Sequence, residues 1–154
     1  MIDEILIKNT VIELLKDAST KLPQDVKNAL QKAYEIEEGP SKGQLEAILK
    51  NIKMAEESST PLCQDTGIHI FFVRIGDIGN PNIEKKLYNI IIESVREATK
   101  IIPLRPNAVH PLTRSNPGDN VGDHIPYVYF TPIDADYIEI TAMPKGAGSE
   151  NMSQ

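Results

Sequence analysis

The stretch from Pro61 to Ile75 has the sequence PLCQDTGIHIFFVRI and predicts a strand preceded by a polar turn. The half from His69 to Ile75 is too short for a buried helix and rich in strand-forming residues, so we predict a β-strand there. The other half places the chain's single cysteine, Cys63, beside an amide, a carboxylate and a hydroxyl. A free cysteine is usually a buried core residue. Polar residues directly after it, at the end of a buried strand, favour a binding site instead.

Length and composition indicate an ordinary globular protein. The 154 residues fit a single domain, 1–154, and the net charge of -6 argues against nucleic-acid or anionic-membrane partners. One cysteine cannot form an internal disulfide. The acidic start of the chain is unlike a signal peptide, and the apolar runs are too short to span a membrane. We therefore expect a cytoplasmic protein.

Helical periodicity dominates the first sixty residues and returns after the predicted strand. Three apolar stripes predict three amphipathic helices, and we expect all three to pack in the core. A fourth stripe, from Ile83 to Ala98, predicts a long helix that ends near Lys100. The first three stripes consist of Ile7, Val11, Leu14, Leu15 and Ala18, then Val26, Ala29, Leu30 and Ala33, then Leu45, Ile48, Leu49, Ile52 and Ala55.

Periodicity disappears between residues 103 and 126. Loops much longer than about 15 residues are usually functional or disordered, and the prolines and small amides here favour a loop that is held in place. Two strands follow, Tyr127–Thr131 and Tyr137–Met143, and the turn at 134–136 predicts that they form a hairpin. The expected fold class is therefore α+β: a helical N-terminal part, a long central helix, and a small mixed sheet with a C-terminal hairpin.

Three polar clusters could together form a site for an anionic ligand. They are the Cys63 turn, the loop around Arg105, and the glycine-rich segment 145–151, which contains Gly146 and Gly148. The Arg105 guanidinium suits a carboxylate, and glycine-rich backbone can offer N–H donors. A surface ion pair for Arg105 and a flexible tail for the glycines are the structural alternatives. Such a glycine segment normally leads into another element, yet the sequence stops at Gln154, so we expect a fragment or one part of a larger assembly.

A zinc site is formally possible but weakly indicated. The spacing of the potential ligands matches none of the usual paired patterns. A histidine at the start of a strand is more often exposed, or buried with its hydrogen bonds satisfied, than bound to metal. The potential ligands are Cys63, His69, His110 and His124.

Two further catalytic arrangements stay open. Cys63 could act as a nucleophile with His110 or His124 as its base, although no local nucleophile signature supports this. Asp65 and Asp119 could form a pair of carboxylates, but the sequence gives no distance between them.

Three motifs, in this order, resemble those of a known enzyme family. They are PLCQDTG at 61–67, LRPNAV at 104–109 and KGAGSEN at 145–151. Together they resemble the α subunit, or N-terminal region, of the iron–sulfur class I fumarate hydratases and the related tartrate dehydratases. The resemblance runs from about residue 5 to the end of the chain, and three separate motifs make it specific.

The resemblance implies a [4Fe–4S] cluster held by three cysteines, with one iron left open as a Lewis acid. It implies reversible addition of water to fumarate, which gives (S)-malate. By motif, Cys63 resembles the first cluster ligand, while Gln64 and Asp65 resemble residues that contact substrate beside the open iron. Arg105 resembles an arginine that binds a substrate carboxylate, and Gly146 resembles a backbone contact to substrate.

Departures from the family pattern limit what this chain could do by itself. Two further cluster cysteines are needed, and the general base and other carboxylate-binding residues resemble features of a β subunit. The middle glycine of the family's loop is replaced by Ala147, a mild change if its φ is negative. We therefore predict that the isolated chain holds no cluster and is inactive, and that the complete protein is an oligomer containing a β subunit or C-terminal region.

Two alternative functions remain at this stage. The first is a tartrate dehydratase or another dicarboxylate hydratase, because Cys63 and Arg105 would bind what these substrates share. The second is a non-catalytic scaffold or interaction domain of the same fold.

Overall fold

A computed structural model describes residues 3–148 and confirms the α+β class. The three N-terminal helices, the strand after the cysteine turn and the long central helix all form. Among the described helices, none is both long and apolar enough to cross a membrane. The elements are α1 (Glu4–Thr20), α2 (Gln24–Ile36), α3 (Gly39–Ser58), β1 (Ile68–Ile75), α4 (Ile83–Ile101), β2 (Tyr127–Pro132) and β3 (Ile138–Lys145).

The sheet is mixed, but the predicted C-terminal hairpin is wrong. Strand β1 lies in the centre, with β2 parallel to it on one side and β3 antiparallel on the other. Strands β2 and β3 therefore do not pair with each other. The five residues between them carry the chain across the end of β1, instead of turning it back on itself.

Gly76 permits this crossing. Its N–H donates to Tyr137 O at 2.9 Å, and the N–H of Asp77 donates to Ala135 O at 2.8 Å. A Cβ on Gly76 would lie 2.2 Å from Ala135 O, so a side chain there would collide with the crossing backbone. A short polar connection predicts a hairpin only when nothing lies between the two strands.

The core lies between one face of the sheet and helices α1 and α4. Alternate residues of β1 point inward, and the fully buried Phe71 is the largest of them. The β2 and β3 side chains Val128, Phe130, Ile138, Ile140 and Ala142 pack against the same core. The buried residues contributed by the helices are Val11, Ile12, Leu15, Ile83, Leu87, Ile91, Val95 and Ala98.

The expectation that all three N-terminal stripes are buried is only partly met. Helix α2 has no buried residue, and α3 buries only Ile52 and Ala55. The two helices pack mainly on each other, with an ion pair between Lys27 and Glu56. An apolar stripe predicts which side of a helix packs against the rest of the protein, but it does not predict how completely that side is buried.

Candidate functional site

All three sequence motifs reach a single pocket at the end of the sheet where β1 begins. A cavity of about 600 Å³ is lined by seven residues, which include the predicted Cys63, Gln64, Asp65 and Arg105. The other three are Asn107, Ala147 and Gly148. A smaller cavity of about 290 Å³ shares Cys63, Gln64 and Arg105 and extends toward Asn51 on α3. Residues more than 80 positions apart in sequence thus border one space.

Gly67 holds the cysteine turn against the end of β3. Its φ is +68°, in the left-handed region, and a Cβ there would lie 1.9 Å from Lys145 O. Only glycine combines that conformation with so close an approach. The Cys63 turn and the glycine-rich segment that follows Lys145 are therefore neighbours.

The Asp65 carboxylate joins these two segments directly. It accepts hydrogen bonds from the backbone N–H of Ala147 at 3.1 Å and of Gly148 at 2.8 Å. Ala147 is absent from the described residues with positive φ, so the family's middle glycine is not needed for backbone conformation here. Gly146 lies at this junction, and its Cα would be 2.8 Å from a Cβ on Gly67. The rest of the predicted glycine segment, 149–151, lies outside the described residues.

Hydrogen bonds from asparagines fix the Arg105 loop beside the cysteine turn. In the amide orientation that suits its surroundings, Asn107 Oδ1 accepts from Gly67 N at 2.9 Å and Thr66 N at 3.3 Å. The backbone N–H of Asn107 donates to Oδ1 of the buried Asn120 at 2.8 Å. Asn120 Nδ2 in turn donates to Thr99 Oγ1 on α4 at 3.1 Å. The loop is held in place, as expected.

These asparagines were not singled out by sequence reasoning. Asn107 lies two residues after Arg105 in the LRPNAV motif, and this position could have marked it as a site residue. Asn120 was one of the small amides that favoured a fixed loop, but nothing indicated its burial, because an asparagine in a loop rich in proline and glycine normally predicts an exposed turn.

Cys63 can supply one thiolate to a metal cluster. Its side chain is exposed at the pocket, and its sulfur accepts a 3.4 Å hydrogen bond from the N–H of Asp65. Hydrogen bonds to ligand sulfurs are among the factors that tune iron–sulfur clusters. Within residues 3–148, however, no three His, Cys, Asp or Glu side chains come close enough together to hold a metal ion. The donor set fits one cluster ligand and does not fit a whole cluster site.

The structure does not assemble the alternative sites. None of the described residues lining the Cys63 cavities is a histidine. His110 Nδ1 instead accepts from Leu112 N at 3.3 Å and Thr113 N at 3.1 Å, in a separate cavity of about 660 Å³. Asp119 lies beside Arg96, accepts from Val121 N, and is not among the described residues that line either Cys63 cavity. Neither zinc, a cysteine–histidine pair nor a carboxylate pair is supported by these positions.

His69 differs from what the sequence predicted, which was a histidine that is either exposed or buried with its hydrogen bonds satisfied. It is completely buried on the inner face of β1, and neither ring nitrogen has a hydrogen-bond partner among residues 3–148. Burial lowers the pKa of His69 from 6.5 to about 4, so the ring is neutral near pH 7. Nearby, the buried Thr66 Oγ1 also lacks a partner.

The pocket thus combines one soft thiol, a guanidinium suited to carboxylates and a backbone loop. A protein-family model described as fumarate hydratase (Fumerase) matches residues 8–154. The chain belongs to this family.

Curated relatives agree on the family and differ in the substrate that they are named for. The chain is 50% identical over 151 residues to a "Putative L(+)-tartrate dehydratase subunit alpha" of Methanocaldococcus jannaschii, covering 96% of this chain and 53% of that protein. It is 39% identical to a "Putative fumarate hydratase class I" of Geobacillus stearothermophilus, covering 92% of this chain and 27% of that one.

Another relative is the L(+)-tartrate dehydratase subunit alpha of Escherichia coli K12, which is 35% identical over 84% of this chain and 43% of its own length. The chain therefore spans about half the length of the α subunits it matches and about a quarter of the class I fumarate hydratase.

Proposed function

We propose that this chain is the cluster-side part of a [4Fe–4S] hydro-lyase that interconverts fumarate and (S)-malate. The observation that carries the proposal is the meeting of Cys63, Gln64, Asp65 and Arg105 in one pocket with the glycine loop. The first motif resembles a cluster ligand followed by two substrate contacts, the second a carboxylate clamp and the third a backbone contact to substrate, and the three motifs are far apart in sequence. Their convergence is expected of an active site and not of a surface ion pair.

In this proposal each residue of the pocket has a distinct task. Cys63 would be one of the ligands of a cluster whose open iron supplies Lewis-acid chemistry when it is bound. Arg105, exposed in the pocket, binds a substrate carboxylate through its planar guanidinium. Gln64 offers amide contacts to the same substrate. Asp65 borders the substrate and orients the loop that presents the backbone of Gly146.

The remaining parts of the site would come from outside this sequence. A cluster held by three cysteines needs two more thiolates than Cys63 provides. We assign these to further α-subunit polypeptide, and the general base to a β subunit, because relatives of about twice this length are named as α subunits. The predicted oligomer and the cytoplasmic location belong to the same proposal.

A tartrate dehydratase is the second candidate, favoured by the name of the 50% identical relative. The described pocket binds what the two substrates share, so it does not separate them. The intact enzyme, produced anaerobically from the gene or genes that encode this sequence, decides between the two. Hydration of fumarate with kcat/KM well above that for tartrate dehydration supports our proposal. The reverse order identifies a tartrate dehydratase.

An arginine exchange tests whether the pocket is the active site. In the intact enzyme, Arg105→Lys should lower kcat/KM by about 100-fold, because lysine cannot form the paired hydrogen bonds to a carboxylate. Arg114→Lys, in the same loop but outside the pocket, is the matched control and should leave kcat/KM within about twofold. Equal kinetics for the two variants would support the scaffold alternative.

A further inference from the structure

One face of the sheet is uncovered in the described chain. Helices α1 and α4 pack on the face that carries Phe71, and the opposite face carries Phe72. Phe72 and Tyr129 stack there, with ring centroids 5.5 Å apart, and both are about half exposed. By the strand register, Ile70 lies between Tyr127 and Met143 on the same face. We call these five residues, Ile70, Phe72, Tyr127, Tyr129 and Met143, the outer sheet face.

The chemistry of the outer sheet face suits a permanent interface. Its centre consists of aromatic, aliphatic and thioether groups. The charges at its far end are already paired, since Arg74 Nη1 lies 2.9 Å from Glu139 Oε2. Contiguous exposed apolar patches mark interaction surfaces, and apolar cores of this kind are characteristic of obligate contacts.

The lengths of the relatives identify the occupant. The Methanocaldococcus α subunit matches 96% of this chain, yet this match covers only 53% of that subunit. Almost half of an α subunit must therefore pack somewhere against, or beside, a unit like this one. An interface within one polypeptide also benefits from a high effective concentration. We propose that the outer sheet face is the docking surface for the part of the α subunit that this sequence does not contain.

This inference rests on the part of the proposed function that assigns the chain to an α subunit, and not on the hydration chemistry. Its test therefore measures association, without any activity. The 154-residue chain is mixed with the unmatched part of the Methanocaldococcus α subunit, which is supplied as a separate polypeptide, and the mass of the mixture is measured by light scattering. We expect a one-to-one complex.

Methionine oxidation locates the contact. Met143 lies on the outer sheet face and is 41% exposed, while Met54 on α3 is 57% exposed and serves as the internal control. Compared with the chain alone, the complex should show oxidation of Met143 by hydrogen peroxide that is about tenfold slower. The oxidation rate of Met54 should change by no more than about twofold. No complex, or a complex in which Met143 stays reactive, overturns the proposal. Protection of Met143 in the chain alone, at the mass of a dimer, assigns the face to a second copy and also overturns it.

A pair of variants gives an independent readout. Tyr129→Asp on the edge strand β2 should weaken the association by at least about tenfold. Ile36→Asp, at the exposed end of α2, introduces the same charge at another exposed apolar position. It should change the affinity of the association by no more than about twofold. Circular dichroism establishes that both variants fold. If Tyr129→Asp does not fold, the protection of Met143 in the unsubstituted chain decides the question.

Discussion

The Asp65 carboxylate accepts a 2.8 Å hydrogen bond from the backbone N–H of Gly148, a residue 83 positions further along the chain. This contact joins the turn that carries Cys63 to the glycine loop that carries Gly146. Since the Asp65 N–H also donates to the Cys63 sulfur, one residue contacts both the proposed cluster ligand and the proposed substrate loop. Asp65 therefore has a positioning role whatever else it contacts.

Replacement of Asp65 by alanine should release the glycine loop. Two hydrogen bonds to a charged acceptor are lost, so we expect the free energy of unfolding to fall by about 1–3 kcal/mol. Amide hydrogen exchange should accelerate at Ala147 and Gly148 before it changes in the core. Asp77→Ala is the control, because within the described residues the Asp77 carboxylate accepts only a local 3.2 Å bond from Gly79 N at the other end of β1. Unchanged exchange at Ala147 would contradict the role of Asp65.

Two glycines with nearly equal φ separate backbone strain from steric collision. Gly67 has φ +68° and Gly79 has φ +65°, but only at Gly67 would a Cβ meet other atoms within 4 Å. Gly79→Ala should cost about 1–2 kcal/mol, the penalty of the left-handed conformation. Gly67→Ala should cost clearly more, about 4 kcal/mol or above, because Lys145 O has to move. Urea denaturation measures both, and equal losses would refute the close packing of the turn on β3.

Asn120 should be essential for holding the Arg105 loop. Asn120→Ala leaves the Asn107 N–H without its acceptor and Thr99 Oγ1 without its donor, which should cost about 2–4 kcal/mol. Limited proteolysis should then cut between residues 103 and 126 faster than in the parent chain. Asp123→Ala, at a highly exposed position of the same loop where the side chain contacts only the adjacent His124 in the described chain, is the control and should leave the cleavage rate unchanged. Resistance to proteolysis equal to that of the parent would show that the loop is fixed by other contacts.

Acid should destabilise the protein through His69. Because burial lowers the pKa of His69 to about 4, the unfolded chain binds a proton between pH 6.5 and about 4 that the folded chain does not. The contribution of His69 to the free energy of unfolding is therefore constant above this window and falls as the pH drops through it. Between about pH 7 and about pH 4.5, the free energy of unfolding should therefore fall by about 2 kcal/mol less in His69→Leu than in the parent.

The same variant has a second expected result. At neutral pH, His69→Leu should be as stable as the parent or more stable, because neither imidazole nitrogen has a partner to lose within the described part of the chain. Urea denaturation at both pH values measures both effects. Parallel pH curves for parent and variant would mean that His69 is hydrogen-bonded or solvated in solution.

The sequence predicted the elements better than their arrangement. Apolar periodicity located all four helices, and the strand-forming residues after Gly67 located β1, because these signals are local. The order of the strands is not local. The hairpin prediction failed because Gly76 lets residues 133–137 cross the end of β1, and a turn sequence holds no information about the strand that lies beneath it.

The motifs named the candidate site residues, and the structure adds Asn107 and Asn120, which hold the Arg105 loop beside the cysteine turn. Cys63, Gln64 and Asp65 were named from the first motif and Arg105 from the second, and all four line one pocket, while Gly146 of the third motif lies next to it. The burial of Asn120 and His69 could not be predicted, because both follow from tertiary packing around residues that look like ordinary turn or strand positions. The roles proposed for the site residues stay predictions until the complete enzyme is measured.

The most direct test of the central claim is an iron and sulfide analysis of the intact, anaerobically purified enzyme, with and without Cys63→Ser. We predict about four irons and four sulfides per site in the parent, with loss of most of both in the variant while the protein stays folded. An enzyme with the same iron and sulfide content after the exchange, or a parent that holds no iron, would contradict the assignment of Cys63 as a cluster ligand.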